Sequence, residues 1–254
     1  MNSSDPIVKI TGHVVLVGDV HGRFFGELYS LYGIFSELPK SVKPGSIIVL
    51  GDVGLGFSVS GTALFDICME TCEALGELGW HVYLIRGNHD NPKCWEVPDR
   101  EYVTFVKDNS VIEINGLRYY VIGGGTSIDR SYRIEGRSWW KGESLVVPSI
   151  QELRTLEPIH GILSHVGPLP PDLPSHLLNY FKHDPNLETD LELERIQIDR
   201  LTALRPKVWY FGHYHVTRTF EYKGIKCRAL GELCTEILSP VEQEQQTTTA
   251  TDDS

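Results

Sequence analysis

Five short apolar runs in this chain stop at the same kind of chemistry. They are "HVVLV" (13–17), "SIIVL" (46–50), "HVYLI" (81–85), "HGILS" (160–164) and "KVWYF" (207–211). Each is short for a helix, rich in β-branched or aromatic residues and bounded by turn residues, which is the signature of a buried strand. The residues that follow are "GDVHG", "GDVG", "RGNHD", "SHVGP" and "GHYH". Five strands therefore each end in Asp, Asn or His, usually beside a glycine. The residues are Asp19 and His21, then Asp52, then Asn88 and His89, then His165, then His213 and His215.

Between the first three runs lie two segments with helical spacing of apolar residues. Residues 23–38 carry Phe24, Leu28, Leu31, Phe35 and Leu38; residues 62–78 carry Leu64, Ile67, Cys68, Leu75 and Leu78. Strand–helix–strand–helix order implies a sheet with parallel members and helices packed on it. Further along, "VIEINGLRYYVIGGG" (111–125) predicts a hairpin turning at Asn115-Gly116, and "TRTFEYKGIKCRAL" (217–230) a second one near Lys223-Gly224. The fold class is mixed α/β, with two packed sheets flanked by helices. A single domain is expected over residues 1–240. Within it, a Pro-rich connector, "GPLPPDLP" (167–174), leads to an acidic helix over 187–204, and the segment 167–206 is a candidate cap. Residues 241–254 read as a disordered tail.

Composition excludes several roles. The net charge of −11 speaks against general nucleic-acid binding or a nuclease, which use basic surfaces. No run approaches the roughly 20 apolar residues that span a bilayer, and "MNSSDPIVKITG" has no signal-peptide pattern, so a cytoplasmic protein without membrane association is expected. The five cysteines are too scattered for a disulfide framework. Cys68 and Cys72, four apart on a predicted helix, read as small core residues rather than a redox or metal pair.

Singly, each strand-end residue has an ordinary explanation: Asp19 a helix cap, Asn88 a turn residue, His21 a surface or core histidine. Jointly they do not, because ligands of α/β sheets bind at the carboxyl ends of strands. Four imidazoles, two carboxylates and one amide oxygen suit manganese, iron or zinc better than calcium, and the absence of cysteine argues against a structural zinc site. Seven donors are too many for one ion that must keep an open position. Two divalent cations sharing a carboxylate, about 3.5–4 Å apart, fit better. Two such ions less two aspartates and a bridging hydroxide leave a positive hole inside an acidic protein, suited to a phosphate. The ions would also make hydroxide available near neutral pH.

The ordered set "GDVHG…GDVG…GNHD…SHVGP…GHYH" resembles the calcineurin-like metallophosphoesterase superfamily, over residues 18 to 215. The resemblance implies a four-layer α/β/β/α sandwich of two mixed sheets with a two-metal centre at one edge, manganese being the first expectation. It implies that Asp19, His21 and His215 hold one metal, that Asn88, His165 and His213 hold the other, and that Asp52 bridges. His89 would be a catalytic non-ligand at the leaving-group oxygen. One departure is instructive. Relatives that are Ser/Thr protein phosphatases follow the second motif with Asp-Arg-Gly, whereas this chain reads "GDVGLGF"; and Asp90 stands where they have glutamate. A phosphatase or phosphodiesterase acting on a phosphorylated small molecule or nucleotide is therefore expected ahead of a protein phosphatase. A non-catalytic scaffold on the same fold is the rival of another class, disfavoured because no ligand is missing. A phosphate grip could come from "GGGTSIDRSYRIEGRSWWKGE" (123–143), where Arg130 and Arg133 would share a face if helical. The alternative there is a solvated loop anchored by Trp139 and Trp140.

Overall fold

The computed structural model describes residues 7–26, 29–38, 43–57, 62–156, 158–171 and 184–238. Its elements in chain order are β1 (Val8–Ile10), β2 (Val14–Val17), α1 (Leu31–Ser36), β3 (Ser46–Leu50), α2 (Thr62–Glu77), β4 (His81–Ile85), β5 (Val103–Phe105), β6 (Ser110–Ile114), β7 (Leu117–Ile122), α3 (Ile150–Arg154), β8 (Gly161–Ser164), α4 (Leu187–Leu201), β9 (Val208–Phe211), β10 (Arg218–Tyr222), β11 (Ile225–Ala229) and β12 (Thr235–Leu238). They form a five-stranded sheet, ordered β12-β2-β3-β4-β5, and a seven-stranded sheet, ordered β1-β6-β7-β8-β9-β11-β10. Strands β2 to β5 run parallel, with β12 antiparallel at the edge. In the second sheet β7, β8 and β9 are parallel neighbours.

Strands β2 and β3 are apolar on both faces because both faces are covered. Val15, Val17, Ile47 and Val49 pack with Leu31 and Phe35 of α1 and Cys68, Cys72 and Leu75 of α2. The alternate residues Val14, Leu16, Ile48 and Leu50 meet Tyr119, Val121 and Leu163 of the other sheet. The far face of that sheet, with Tyr120, Ile162, Trp209 and Phe211, packs on Leu153 of α3 and Ile198 and Leu201 of α4. The layers are therefore α/β/β/α. Cys68 and Cys72 are core residues, 0% and 1% exposed; burial and the neighbouring Cys72 push the Cys68 thiol well up, which makes it unreactive.

Both expected hairpins form. Asn115 and Gly116 have φ of 50° and 78°, and Lys223 and Gly224 have 51° and 79°, the left-handed pair that a two-residue hairpin loop requires. The helix expected over 23–38 shrinks to Leu31–Ser36. Upstream of it Gly26 has φ 147°, and the Leu31 amide bonds to the Arg23 carbonyl, eight residues back and not four; Leu28 lies outside the described residues. Phe24 and Leu31 are nonetheless buried: the spacing located the core face but not the conformation. The acidic helix appears as α4, followed by a 3₁₀ turn at Thr202–Leu204. The expected tail and residues 172–183 lie outside the described residues. Among the described residues no helix is long and apolar enough to cross a membrane.

Candidate metal centre

The carboxyl ends of β2, β3, β4, β8 and β9 meet at one edge of the sandwich. Their loops are stitched by backbone hydrogen bonds: Val20 and His21 N–H donate to the Asp52 carbonyl at 3.0 and 2.7 Å, and Gly212 N–H to the His165 carbonyl at 3.0 Å. The glycines are needed for this closeness. A Cβ on Gly87 would lie 2.1 Å from the Asp52 nitrogen, and one on Gly212 would lie 2.1 Å from Asp19 Oδ1. His21, Asp52, His213 and His215 all have φ between 46° and 69°. Such left-handed backbone is costly for these residues and is found where surrounding structure imposes it, often at functional sites.

Asp19, His21, Asp52 and His215 each turn a ligand atom into one volume, all within 4.8 Å of one another. His21 Nε2 lies 3.0 Å from His215 Nε2, and His215 Nε2 lies 3.3 Å from Asp19 Oδ2. A second group sits beside it. Asn88 Oδ1 is 2.8 Å from His165 Nε2 and 3.0 Å from His213 Nδ1, and those two nitrogens are 3.3 Å apart. Asp52 divides between the groups, with Oδ1 3.2 Å from His165 Nε2 and Oδ2 3.8 Å from His21 Nε2. Donors around one cation at about 2.0–2.2 Å stand roughly 3.0–3.4 Å from each other, so the spacings and the donor chemistry fit divalent metal ions.

The electrostatics point the same way. Asp19 and Asp52 are 0% and 1% exposed. Burial, with the nearby charges of Asp19 and Asp90, pushes the Asp52 carboxyl well above its ordinary value. Burial would raise Asp19 too, but the hydrogen bond from His215 and the charge of His165 outweigh it and hold the carboxyl low. Burial lowers His21 to about 4 and His213 to about 3, and lowers His165 as well. His215 goes the other way, raised by its hydrogen bond to Asp19; the three lowered imidazoles beside two desolvated carboxylates are a set that a cation completes.

His89 stands at the mouth. Its ring stacks on Phe57, with centroids 4.7 Å apart and planes 9° apart. The His89 backbone N–H donates to Asp52 Oδ1 at 2.8 Å. Arg133 Nη2 lies 2.6 Å from His89 Nε2; since a guanidinium only donates, that nitrogen accepts and the ring is neutral. Burial, then Arg133, lower the His89 pKa strongly. Arg133 also lies over the Phe57 ring at 5.1 Å. Arg130 does not share this position. Its Nε is 2.5 Å from Asp184 Oδ2 and its Nη2 2.6 Å from Asp190 Oδ2, so it ties the loop to α4. The stretch is a 3₁₀ turn at Arg130–Tyr132 that ends before Arg133, whose backbone is extended, so the two arginines do not sit on one helical face. Trp140 is buried and Arg137 exposed.

Three supports were not foreseen. Asp90 takes four backbone N–H bonds, from Val53, Gly54, Leu55 and Gly87 at 2.7–3.1 Å, and so locks the loop after β3 to the turn after β4. Burial raises its carboxyl and these donors oppose the rise. Glu232 Oε1 is 3.3 Å from His215 Nδ1, and Arg23 holds Glu232 at 2.7 Å. Ser127 reaches Asn88 from the loop after β7, and Glu143 holds the Ser127 hydroxyl. Asp90 lies within the motif "RGNHD", and Ser127 and Glu143 lie within the 123–143 stretch, where nothing marks them as supports of Asn88; Glu232 sits in a stretch with no distinguishing pattern.

Two solved structures are similar to this chain. One is the phosphopantetheinyl hydrolase from Mycobacterium tuberculosis, at 16% identity over 92% of this chain and 98% of that one, with a TM-score of 0.49. The other is GAP50 of Plasmodium, at 12% identity over 86% and 71%, with a TM-score of 0.45. The family model described as calcineurin-like phosphoesterase matches residues 12–217, a span that contains every strand-end residue described above. This chain belongs to the calcineurin-like phosphoesterase family.

Proposed function

We propose that the chain hydrolyses phosphoesters of small molecules or nucleotides at a centre of two divalent cations, manganese first among the candidates and iron or zinc next. Asp19, His21 and His215 hold one cation, Asn88, His165 and His213 the other, and Asp52 both. The observation that carries this reading is the division of Asp52, one oxygen toward each group of donors. Bound cations would supply Lewis acidity and a water of lowered pKa. The chain's own residues do the rest. Arg133, the cation beside His89, binds the phosphate through its fork of N–H donors. Phosphate drawing Arg133 away frees the His89 Nε2 lone pair, which takes up a proton from solvent and passes it to the leaving oxygen, returning the ring to neutral. The loop at Val53–Phe57 has no arginine, and Asp90 holds its backbone; this favours small phosphoesters over phosphoproteins. The test is a panel of phosphomonoesters, phosphodiesters and a phosphopeptide with Mn²⁺ or Zn²⁺. Turnover that needs added metal and is abolished by chelation is expected. No turnover of any ester with either metal rejects the reading.

A further inference from the structure

Ser127 is 1% exposed on the loop after β7, and its hydroxyl has three partners. Oγ lies 2.6 Å from Glu143 Oε2, 3.0 Å from Asn88 Nδ2 and 3.1 Å from Arg133 Nη1. A serine hydroxyl has one proton and two lone pairs. Arg133 can only donate, so it takes one lone pair. The carboxylate of Glu143 takes the single proton. One lone pair remains for Asn88, which must therefore present its NH₂ and not its oxygen. The amide oxygen is thereby turned to His165 Nε2 and His213 Nδ1. Glu143 is itself fixed: it is 1% exposed, and its Oε1 accepts the Ser127 backbone N–H at 2.9 Å.

We propose that Ser127 and Glu143 are positioning residues that set the Asn88 amide and hold Arg133 through one saturated hydroxyl. The inference rests on the metal reading above. Turned the other way, Asn88 would aim two donors at the second cation instead of an oxygen. Residues behind metal ligands commonly govern about 10–100-fold in metal affinity, and that is the loss expected when the hydroxyl goes.

The experiment is a calorimetric Mn²⁺ titration of the metal-free full chain. The variants are Ser127→Ala, Asn88→Asp and the pair together, with a thermal melt of each. Aspartate presents an oxygen in either orientation, so it needs no hydroxyl to turn it. Expected are two ions for the unsubstituted chain and an about 10–100-fold weaker second ion for Ser127→Ala. In the Asn88→Asp background Ser127→Ala should cause no weakening. Equal affinity of Ser127→Ala and the unsubstituted chain overturns the proposal, and so does the same loss in both backgrounds, which marks structural damage. If Ser127→Ala does not fold, Glu143→Gln replaces it. Its single oxygen cannot accept both Ser127 protons, so the second ion should weaken, and an unchanged isotherm overturns the proposal. No Mn²⁺ uptake by the unsubstituted chain overturns the metal reading itself, an outcome distinct from the others.

Discussion

Replacing Asp90 by asparagine changes two atoms' chemistry and almost no shape, so its cost can be worked from the hydrogen bonds. Oδ1 accepts from Gly54 and Leu55 at 2.7 and 2.9 Å, and Oδ2 from Val53 and Gly87 at 3.1 and 2.7 Å. Whichever way the amide turns, its NH₂ faces two backbone donors and satisfies neither. A buried donor left without its acceptor costs about 1–3 kcal/mol, so Asp90→Asn should cost about 2–6 kcal/mol. That is a large part of the roughly 5–15 kcal/mol of a typical domain. The assay is urea unfolding of the metal-free chain at neutral pH. With a slope near the upper end of about 1–3 kcal/mol per molar, the midpoint should fall by roughly 1–2 M. The loops that Asp90 joins carry Asp52 and Asn88, so Mn²⁺ uptake should weaken as well. A midpoint within about 0.3 M of the unsubstituted chain, less than about 1 kcal/mol on the same slope, would refute the argument. It would mean that the carboxyl is held neutral by its burial and that four donors share less than the geometry implies.

Other variants separate the roles around the mouth. His89→Asn should keep both metals yet lose about 10²-fold or more in turnover, with a smaller loss on nitrophenyl esters; equal losses on good and poor leaving groups would reject a proton-donating role. Arg133→Ala should lower kcat/KM by about 1–3 kcal/mol, whereas Arg130→Ala should lower the unfolding midpoint and leave kinetics within about twofold, a split that steady-state rates and urea melts on the same preparations will read. Glu194 gives a pH signature away from the metals. Buried at 5% exposure and accepting the Thr126 N–H at 2.6 Å, it is raised by burial from 4.5 to about 7. Its native form holds the proton more tightly than its unfolded form, so this contribution is full below pH 4.5 and is lost as pH rises through about 7. The change is about 3 kcal/mol; unfolding free energies from pH 4.5 to 8 should fall for the natural chain and stay flatter for Glu194→Gln.

Much of the fold was legible because the signals were local. β2 and β3 read as buried strands since each is apolar on both faces, and the turns at Asn115-Gly116 and Lys223-Gly224 declared themselves by their need for left-handed backbone. The candidate site was legible because five strand ends repeat one kind of residue beside glycines that let the loops close on each other. What escaped had no local signal. β1, β5 and β12 are three or four residues long, too short for a period to show. Residues 23–38 carry a helical spacing, yet Phe24 reaches the core from a loop turned by Gly26. Arg130 and Arg133 look equivalent in sequence, yet Arg130 is paired by Asp184 and Asp190, which arrive with α4, whereas Arg133 pairs with Asp129 of its own loop and reaches His89. The partnership of Ser127 with Asn88 joins two sheets, and Glu232 meets His215 from the loop before β12; nothing along the chain announces either pairing.

The central claim is that one carboxylate serves two cations, and counting metal tests it most directly. Metal-free chain should be loaded with Mn²⁺, dialysed and analysed by inductively coupled plasma mass spectrometry beside Asp52→Asn. The account predicts two ions per chain in the unsubstituted protein and a loss affecting both in the variant, together with the loss of phosphoester turnover. Two tightly held ions and full turnover in Asp52→Asn, or a single ion in a fully active unsubstituted chain, would contradict it.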